Sequence, residues 1–276
     1  MASEAIERYR QRLGSTADRD AYLLAESRLP GRRGNLELAQ AATLVLTKAD
    51  LVRYARIDAA QAPENTARSF LAFCGVLGLG RLLAEGDRSQ ETALRRHARD
   101  RRWRIREAVA MALQIVGDHQ PSLLHAIARR WMDGGWLEHR AAVAAVAEPR
   151  LLDSRRAARS ALRILDRATR NPTRSDVSDP DGRRVLRQAL GYAWSVVVAA
   201  IPAEGKAAMQ AWIDSDNEDV RWVMRQNLGK ARLRRLDPAW CQAAESRLAL
   251  SARRAGAAPA LDAWRRRKRR TKGRAS

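Results

Sequence analysis

Four stretches of the chain share one pattern, in which an acidic residue is followed six or seven positions later by an arginine that opens an apolar helical run. The four pairs are Asp100 with Arg106, Asp133 with Arg140, Asp181 with Arg187, and Asp214 with Arg221. The arginines are separated by 34, 47 and 34 residues. An interval of that size is typical of stacked helical hairpins, each of which buries its apolar face only against its neighbours. The pattern therefore predicts an all-α chain folded as a right-handed solenoid of hairpins with a concave groove.

The longer middle interval has a local cause. Residues 169–181 include the polar stretch from Asn171 to Pro180, whose turn-forming residues cannot propagate a helix. We expect an insertion loop there, within one repeat domain that covers residues 1–262. Tryptophans at 131 and 212 precede Asp133 and Asp214 by the same two positions, which strengthens the repeat.

Composition fits a helical protein without a membrane anchor. Hydrophobic residues make up 46% of the chain, and most are alanine and leucine, which favour helices. The sequence contains no run of about 18 apolar residues and no export signal at its N-terminus, so we expect a cytoplasmic protein that does not bind membranes. Cys74 and Cys241 are expected to be reduced core thiols. The four histidines lack metal-ligand spacing and are expected at surface or capping positions; we expect no metal or other cofactor.

Charge is the second informative feature. The chain has 52 lysines and arginines against 31 acidic residues, a net charge of +21, and 47 of the 52 are arginine. Arginine suits phosphate because its planar guanidinium donates several hydrogen bonds. Nucleic acid, and duplex DNA first, is the predicted partner of a monomeric protein, although a high genomic G+C content also enriches arginine.

The C-terminal segment is basic and lacks acidic residues. Residues 263–276 carry eight cations, which leaves +13 on the rest of the chain. Like charges at this density repel, so we predict a disordered arm that contacts phosphates; the alternative is a solubilising end.

Cations and indoles concentrate where the predicted second helices of the hairpins begin. In a solenoid these helices line the concave side. The candidate phosphate contacts are Arg102, Arg104, Arg106, Arg183, Arg184, Arg187, Arg221, Arg225, Arg265, Arg266 and Arg267. For Arg187 and Arg221 the alternative is a structural contact with an aspartate of a neighbouring hairpin. Two further arginines, between Gly31 and Gly34, either bind phosphate or belong to a plain turn.

Local signals predict several helices near the N-terminus. Residues 3–13 and 17–27 form two short helices, and Asn35 caps a third that starts at Leu36. Pro63 is expected to open a long helix in which Gly75, Gly78 and Gly80 permit close packing of neighbouring helices.

Three segments resemble the DNA alkylation-repair glycosylases, which are built from HEAT-like repeats. These segments are Trp131–Asp133, Trp136–Ala142 and Arg187–Ala193, and the resemblance extends loosely over residues 60–230. In that family a carboxylate, an arginine and two aromatic residues converge on an alkylated nucleotide in duplex DNA. The enzymes release cationic N3- or N7-alkylated purines without flipping the base into a pocket.

The resemblance implies a set of site residues. The family's arginine corresponds to Arg140, and its aromatic residues correspond to Trp103 and to Tyr192, where tryptophan is usual. The carboxylate corresponds to Glu107, where aspartate is usual. The carboxylate would stabilise the developing sugar cation, the aromatic faces would test for positive charge, and the arginine would hold a phosphate. Alternatives are a surface salt bridge for Glu107, and a noncatalytic scaffold that binds protein or RNA.

Overall fold

The computed structural model describes residues 4–170 and 179–254, with side chains to residue 250. Every regular element in these ranges is helical, which confirms the all-α prediction. The chain divides into two compact units, Met1–Leu151 and Leu152–Ser276. The predicted tail with Arg265, Arg266 and Arg267, the domain end at residue 262, and residues 171–178 of the predicted loop lie outside the described residues.

The described part of the first unit contains nine α-helices and a short 3-10 helix at Pro149–Leu151. The helices are α1 (Glu4–Ser15), α2 (Arg19–Ala25), α3 (Leu36–Val45), α4 (Lys48–Ala55), α5 (Ala67–Ala84), α6 (Ser89–His97), α7 (Trp103–His119), α8 (Pro121–Trp131) and α9 (Trp136–Val146). The described part of the second unit contains α10 (Arg155–Thr169), α11 (Pro180–Ala200), α12 (Pro202–Ile213), α13 (Glu218–Leu228), α14 (Ala231–Leu236) and α15 (Pro238–Arg254).

Helix α5 is the centre of the first unit and packs against α3, α4 and α7. Its glycines allow the neighbouring backbones to approach, as predicted. A Cβ at Gly75 would lie 2.3 Å from the Ala55 nitrogen, and one at Gly80 would lie 2.3 Å from the Ala112 carbonyl oxygen. The thiol of Cys74 is buried in the same helix. Substitution of either glycine would therefore force helices apart.

The start of α5 differs from the prediction. The helix begins at Ala67 behind the cap residue Thr66, whose hydroxyl oxygen accepts a hydrogen bond from the Ser69 nitrogen at 3.3 Å. Asn65 has a φ of 64°, which interrupts a right-handed helix. Pro63 therefore lies in the preceding turn. By contrast, Asn35 caps α3 as predicted, because its Oδ1 accepts a hydrogen bond from the Leu38 nitrogen at 3.2 Å.

The repeated arginines keep recurring roles in the structure. Arg106 donates to the carbonyls six and five residues before it, at 2.6 and 3.1 Å. Arg221 repeats this contact with the carbonyls of Ser215 and Asp216. Arg187 instead donates to Asp219 at 2.7 Å, 32 residues later, as the predicted arginine–aspartate contact requires. The repeated arginines thus stabilise either the turn that precedes their own helix or the contact with a neighbouring helix.

Candidate functional site

The first turns of α7 present the indole and the carboxylate of the predicted site. Trp103 and Glu107 are four residues apart, so they lie on one face of the helix. Trp103 is 47% exposed and the Glu107 side chain is 43% exposed. An indole and a carboxylate that face solvent together are available to a ligand.

Helix α9 adds the predicted arginine to this face. Arg140 Nη2 donates to Glu107 Oε2 at 2.7 Å, and Nη1 donates to the Arg106 carbonyl at 2.8 Å. Two acceptors hold the guanidinium, so Arg140 orients the carboxylate, and the phosphate contact expected for it stays a prediction. Among the described groups, Glu107 Oε1 has no hydrogen-bond donor. One carboxylate oxygen is thus fixed by Arg140, and the other keeps its lone pairs available.

Trp103 and Glu107 line a cavity of about 180 Å³ near the N-terminal end of α5. Its walls are mostly apolar. Phe70 and Phe73 contribute parallel rings whose centroids lie 6.4 Å apart. The other lining residues are Leu29, Arg32, Arg33, Gly34, Leu36 and Arg104. An aromatic cavity with one carboxylate suits a flat cationic ligand, since aromatic faces and carboxylates both attract positive charge.

The turn between Gly31 and Gly34 brings two exposed arginines to the rim of this cavity. Arg32 and Arg33 both line it, and Arg33 lies 4.0 Å from Glu37 in a solvent-exposed ion pair. Gly31 is required in this turn, because a Cβ there would lie 2.4 Å from the Arg28 carbonyl oxygen. The turn therefore holds its two arginines where they could contact an anion beside the cavity, as the phosphate-binding interpretation of this turn requires.

Two arginines predicted to bind phosphate serve the fold instead. Arg104 is buried and donates from Nη2 to the Gly31 carbonyl at 2.7 Å and to Asn65 Oδ1 at 2.9 Å, which fastens the turn to α7. Its guanidinium covers one face of the Trp103 ring at 4.6 Å. Arg102 is also buried, and it donates to the carbonyls of three residues in the turn before α5 and to Asp100. Neither guanidinium is exposed to a phosphate.

Arg221 is a third correction of the same kind, because it is buried beneath the turn carbonyls that it contacts. Arg106 is half-buried and holds two turn carbonyls. In the second unit, Arg183 and Arg187 are engaged by Asp219. Arg184 is exposed beside Asp181 at 3.4 Å, and Arg225 is half-buried.

Tyr192 belongs to the second unit, where it is 37% exposed on α11. The nearby cluster is built around Asp219, whose carboxylate accepts from Arg183 at 2.7 Å and from Arg187 at 2.7 Å. The guanidinium of Arg187 lies over the Trp222 ring at 4.5 Å. Of the four residues predicted for the catalytic site, the structure brings together Trp103, Glu107 and Arg140 within one unit.

The most basic helix of the described chain is α10, and none of the site residues predicted from the sequence lies on it. Helix α10 exposes five arginines and its C-cap residue is a sixth, whereas the alanines of the helix are buried. The arginines are Arg155, Arg156, Arg159, Arg163, Arg167 and Arg170. The sequence could have revealed this arginine surface through the spacings of three and four residues between the arginines, since residues so spaced share one helical face.

The remaining polar groups show no metal centre in the described residues, where no cluster of three histidine, cysteine or acidic side chains occurs. His97, His125 and His139 are buried, so the expected surface position is wrong for these three. Among the described helices, α5 alone is long and apolar enough to span a membrane, and 78% of it is buried in the first unit as a core helix.

No protein-family model matches the chain, and neither does any curated protein or solved structure with which it was compared. The geometry of the sites is therefore the basis on which a function can be proposed.

Proposed function

We propose that the protein is a DNA-binding repeat protein whose first unit recognises a cationic alkylated purine in duplex DNA and cleaves its N-glycosidic bond. The observation that carries the proposal is the convergence of a half-exposed carboxylate, Glu107, and an exposed indole, Trp103, on one aromatic cavity. Neutral bases gain little from a carboxylate beside an aromatic wall, whereas a base with a positive charge gains from both.

The proposed reaction needs little acid or base chemistry from the protein. An N3- or N7-alkylated purine is a cation, so it departs as a neutral base when the bond to the sugar breaks and its electron pair leaves with the base. Positive charge then develops on the sugar, and the second oxygen of Glu107, which accepts no hydrogen bond from the described residues, would stabilise it. Water adds to the sugar carbon and releases a proton, which leaves an abasic site.

Each neighbouring side chain has a defined part in this proposal. Arg140 positions Glu107 through its 2.7 Å hydrogen bond. Arg32 and Arg33 extend from the rim and would contact phosphates beside the lesion. Arg104 covers one face of Trp103, so the base would stack on the other face.

The wider surface would be a concave basic groove formed by HEAT-like hairpins. Support for such repeats comes from contacts that recur at one interval within each unit: Arg140 reaches Glu107 over 33 residues, and Arg247 reaches Asp214 over 33 residues. The net charge of +13 outside residues 263–276 would draw the groove to DNA through phosphates.

A second candidate function is a noncatalytic repeat scaffold that binds protein or RNA. The same recurring interval favours it, because Glu107 with Arg140 then takes its place in a series of structural contacts that also includes Asp118 with Arg150 over 32 residues. Exposed pairs of this kind contribute little to stability, about 0–1 kcal/mol.

Release of 7-methylguanine or 3-methyladenine from methylated duplex DNA tests the proposal. We expect Glu107→Gln to lower single-turnover release by about 10²–10³-fold while DNA binding persists, because the change removes charge and keeps shape. Asp118→Asn is the matched control, since Asp118 lies on the same helix and pairs with Arg150 at 2.9 Å. It should release bases at the wild-type rate.

Three outcomes would decide between the candidates. Loss of release with Glu107→Gln alone supports the glycosylase. Equal loss in both variants would show that any carboxylate removed from α7 harms the fold. If the wild-type protein releases neither base, the proposed activity is refuted and the scaffold remains.

A further inference from the structure

The outward face of α10 is the densest row of cations in the described residues. With 100° between successive residues, the five arginines of α10 and the C-cap Arg170 occupy an arc of roughly 120°. Ala161, Ile164 and Leu165 are buried on the opposite side. Since the row runs from Arg155 to Arg170, it is about 22 Å long at about 1.5 Å per residue.

Carboxylates of the described residues neutralise only part of this face. Glu204 of α12 accepts hydrogen bonds from Arg155 at 2.6 Å and from Arg159 at 2.6 Å. The bond from Arg159 has the larger effect, and the two bonds lower the pKa of Glu204 to about 2. Asp166 accepts from Arg170 at 2.6 Å and from the Trp212 indole at 3.0 Å. Of the four arginines between Arg155 and Arg163, only Arg155 and Arg159 pair with a carboxylate of the described residues, so positive charge predominates along this part of the row.

The other edge of the face, which turns away from these carboxylates, carries Arg156 and Arg163. Both are exposed. Arg156 and Arg163 have no hydrogen-bond or ion-pair partner among the described residues. Like charges held this close repel one another, so the face would be stabilised by a partner with regularly spaced negative charge.

We infer that the arginine face of α10 is a second DNA-binding surface, which contacts the phosphates of a duplex. The choice of DNA rests on the proposed function. Each strand of a duplex carries one charge per about 3.4 Å of its axis, so a 22 Å row meets several phosphates. Guanidinium groups also bind phosphate oxygens in pairs.

A membrane surface fits this face less well. Basic amphipathic helices bind membranes by inserting an apolar face beside the charges. The apolar side of α10 is already occupied, because the helix packs against α11 and Thr169 accepts a hydrogen bond from the Trp194 indole at 3.0 Å. Only the cations remain available, which suits a soluble polyanion.

The test combines Arg156→Gln and Arg163→Gln in the full-length protein. A matched control combines Arg8→Gln and Arg129→Gln, which removes the same charge from two exposed positions on α1 and α8. Binding to an unmodified duplex is measured between 50 and 200 mM salt. We expect the α10 variant to reduce the slope of log affinity against log salt by about 2, because each phosphate that is no longer neutralised lowers it by about 0.9. The control should reduce the slope by less than about 1.

Equal slopes in the two variants would overturn the inference, because net charge rather than the row would then set the affinity. A larger loss with duplex RNA than with duplex DNA would overturn the choice of partner. Circular dichroism melts of both variants show whether the helices are intact.

The outcome is separable from that of the proposed glycosylase. Base release at saturating DNA should be unchanged in the α10 variant, since the row lies outside the cavity in the first unit. If the α10 variant has a smaller salt slope and the wild-type protein releases no base, this inference is supported and the proposed glycosylase activity is refuted. Base release with an unchanged slope would refute this inference and leave the glycosylase in place.

Discussion

Two clusters in this protein contain the same three groups, a carboxylate, guanidinium groups and an indole, and they differ in what remains available. In the first unit Glu107 receives one guanidinium and keeps a free oxygen, and Trp103 is exposed beside a cavity. In the second unit Asp219 is only 11% exposed, receives two guanidiniums, and Arg187 covers the Trp222 ring.

The difference teaches how the same groups can serve chemistry or structure. A buried carboxylate between two arginines has its charge and lone pairs satisfied by the protein, so little attraction remains for a ligand. A half-exposed carboxylate held through one oxygen keeps its orientation and still attracts cations. The number of acceptor positions left open therefore distinguishes the two clusters, although their residue types are the same.

Removal of the two carboxylates should separate the clusters by stability. We expect Asp219→Asn to reduce the free energy of unfolding by about 2–3 kcal/mol, because Arg183 and Arg187 would then face each other without a counter-charge. Glu107→Gln should cost less than about 1 kcal/mol, since its pair is exposed. Urea unfolding followed by circular dichroism measures both. Equal losses would show that the two clusters are alike.

Acid should affect the first unit more than the second, because all four histidines lie before residue 152. Burial first, and the nearby Arg96 and Arg102, lower the pKa of His97 to about 4 from 6.5. The unfolded chain therefore binds a proton that the folded unit does not bind between these values, so stability falls as pH falls from 6.5 to 4. At a pH of about 4.5 the loss is about 2 kcal/mol.

Hydrogen exchange at neutral pH and at a pH of about 4.5, resolved by peptide, measures this difference between the units. His97→Gln, which cannot titrate, is the control for carboxylates that titrate in both units. If protection in α6 and α7 falls equally in wild type and His97→Gln, the histidine does not contribute.

The smallest expected effect compares the two indoles. Trp103→Ala should lower the preference for methylated over unmodified duplex by about tenfold and leave stability nearly unchanged, because the ring is exposed and one face is open for stacking. Trp222→Ala should leave the preference unchanged, since Trp222 lies on α13 in the second unit and does not line the cavity. Competition binding with matched duplexes measures both; a loss of preference in Trp222→Ala would contradict the comparison.

The sequence predicted features that depend on neighbours along the chain. Helical content, the Asn35 cap and the packing glycines of α5 are confirmed because composition, capping chemistry and the lack of a side chain act locally. The position of Trp103 and Glu107 on one helical face also follows from their spacing. The predicted start of α5 was wrong, because the left-handed backbone at Asn65 decides it and no residue type requires that conformation.

Burial of individual arginines could not be predicted from the sequence. Arg102 and Arg104 lie in a run that resembles a basic surface, yet their guanidinium groups reach carbonyls 40 or more residues away. Such distant acceptors become visible only when the turns before α5 and α3 are folded against α7. The α10 row was not predicted because the repeated aspartate and arginine pairs skip this helix.

The contact between α5 and α7 at Gly80 has a consequence for how this protein can change over evolution. At Gly80 the backbone of α5 lies directly against the backbone of α7 at Ala112, so the distance between the two helices does not depend on the size of their exposed side chains. Cavity-lining residues such as Phe73 and Glu107 can then be exchanged while the two helices keep their separation at Gly80. The fold can thereby accept new cavity chemistry while its frame stays constant, and the glycine, rather than any residue of the site, is the position least free to vary.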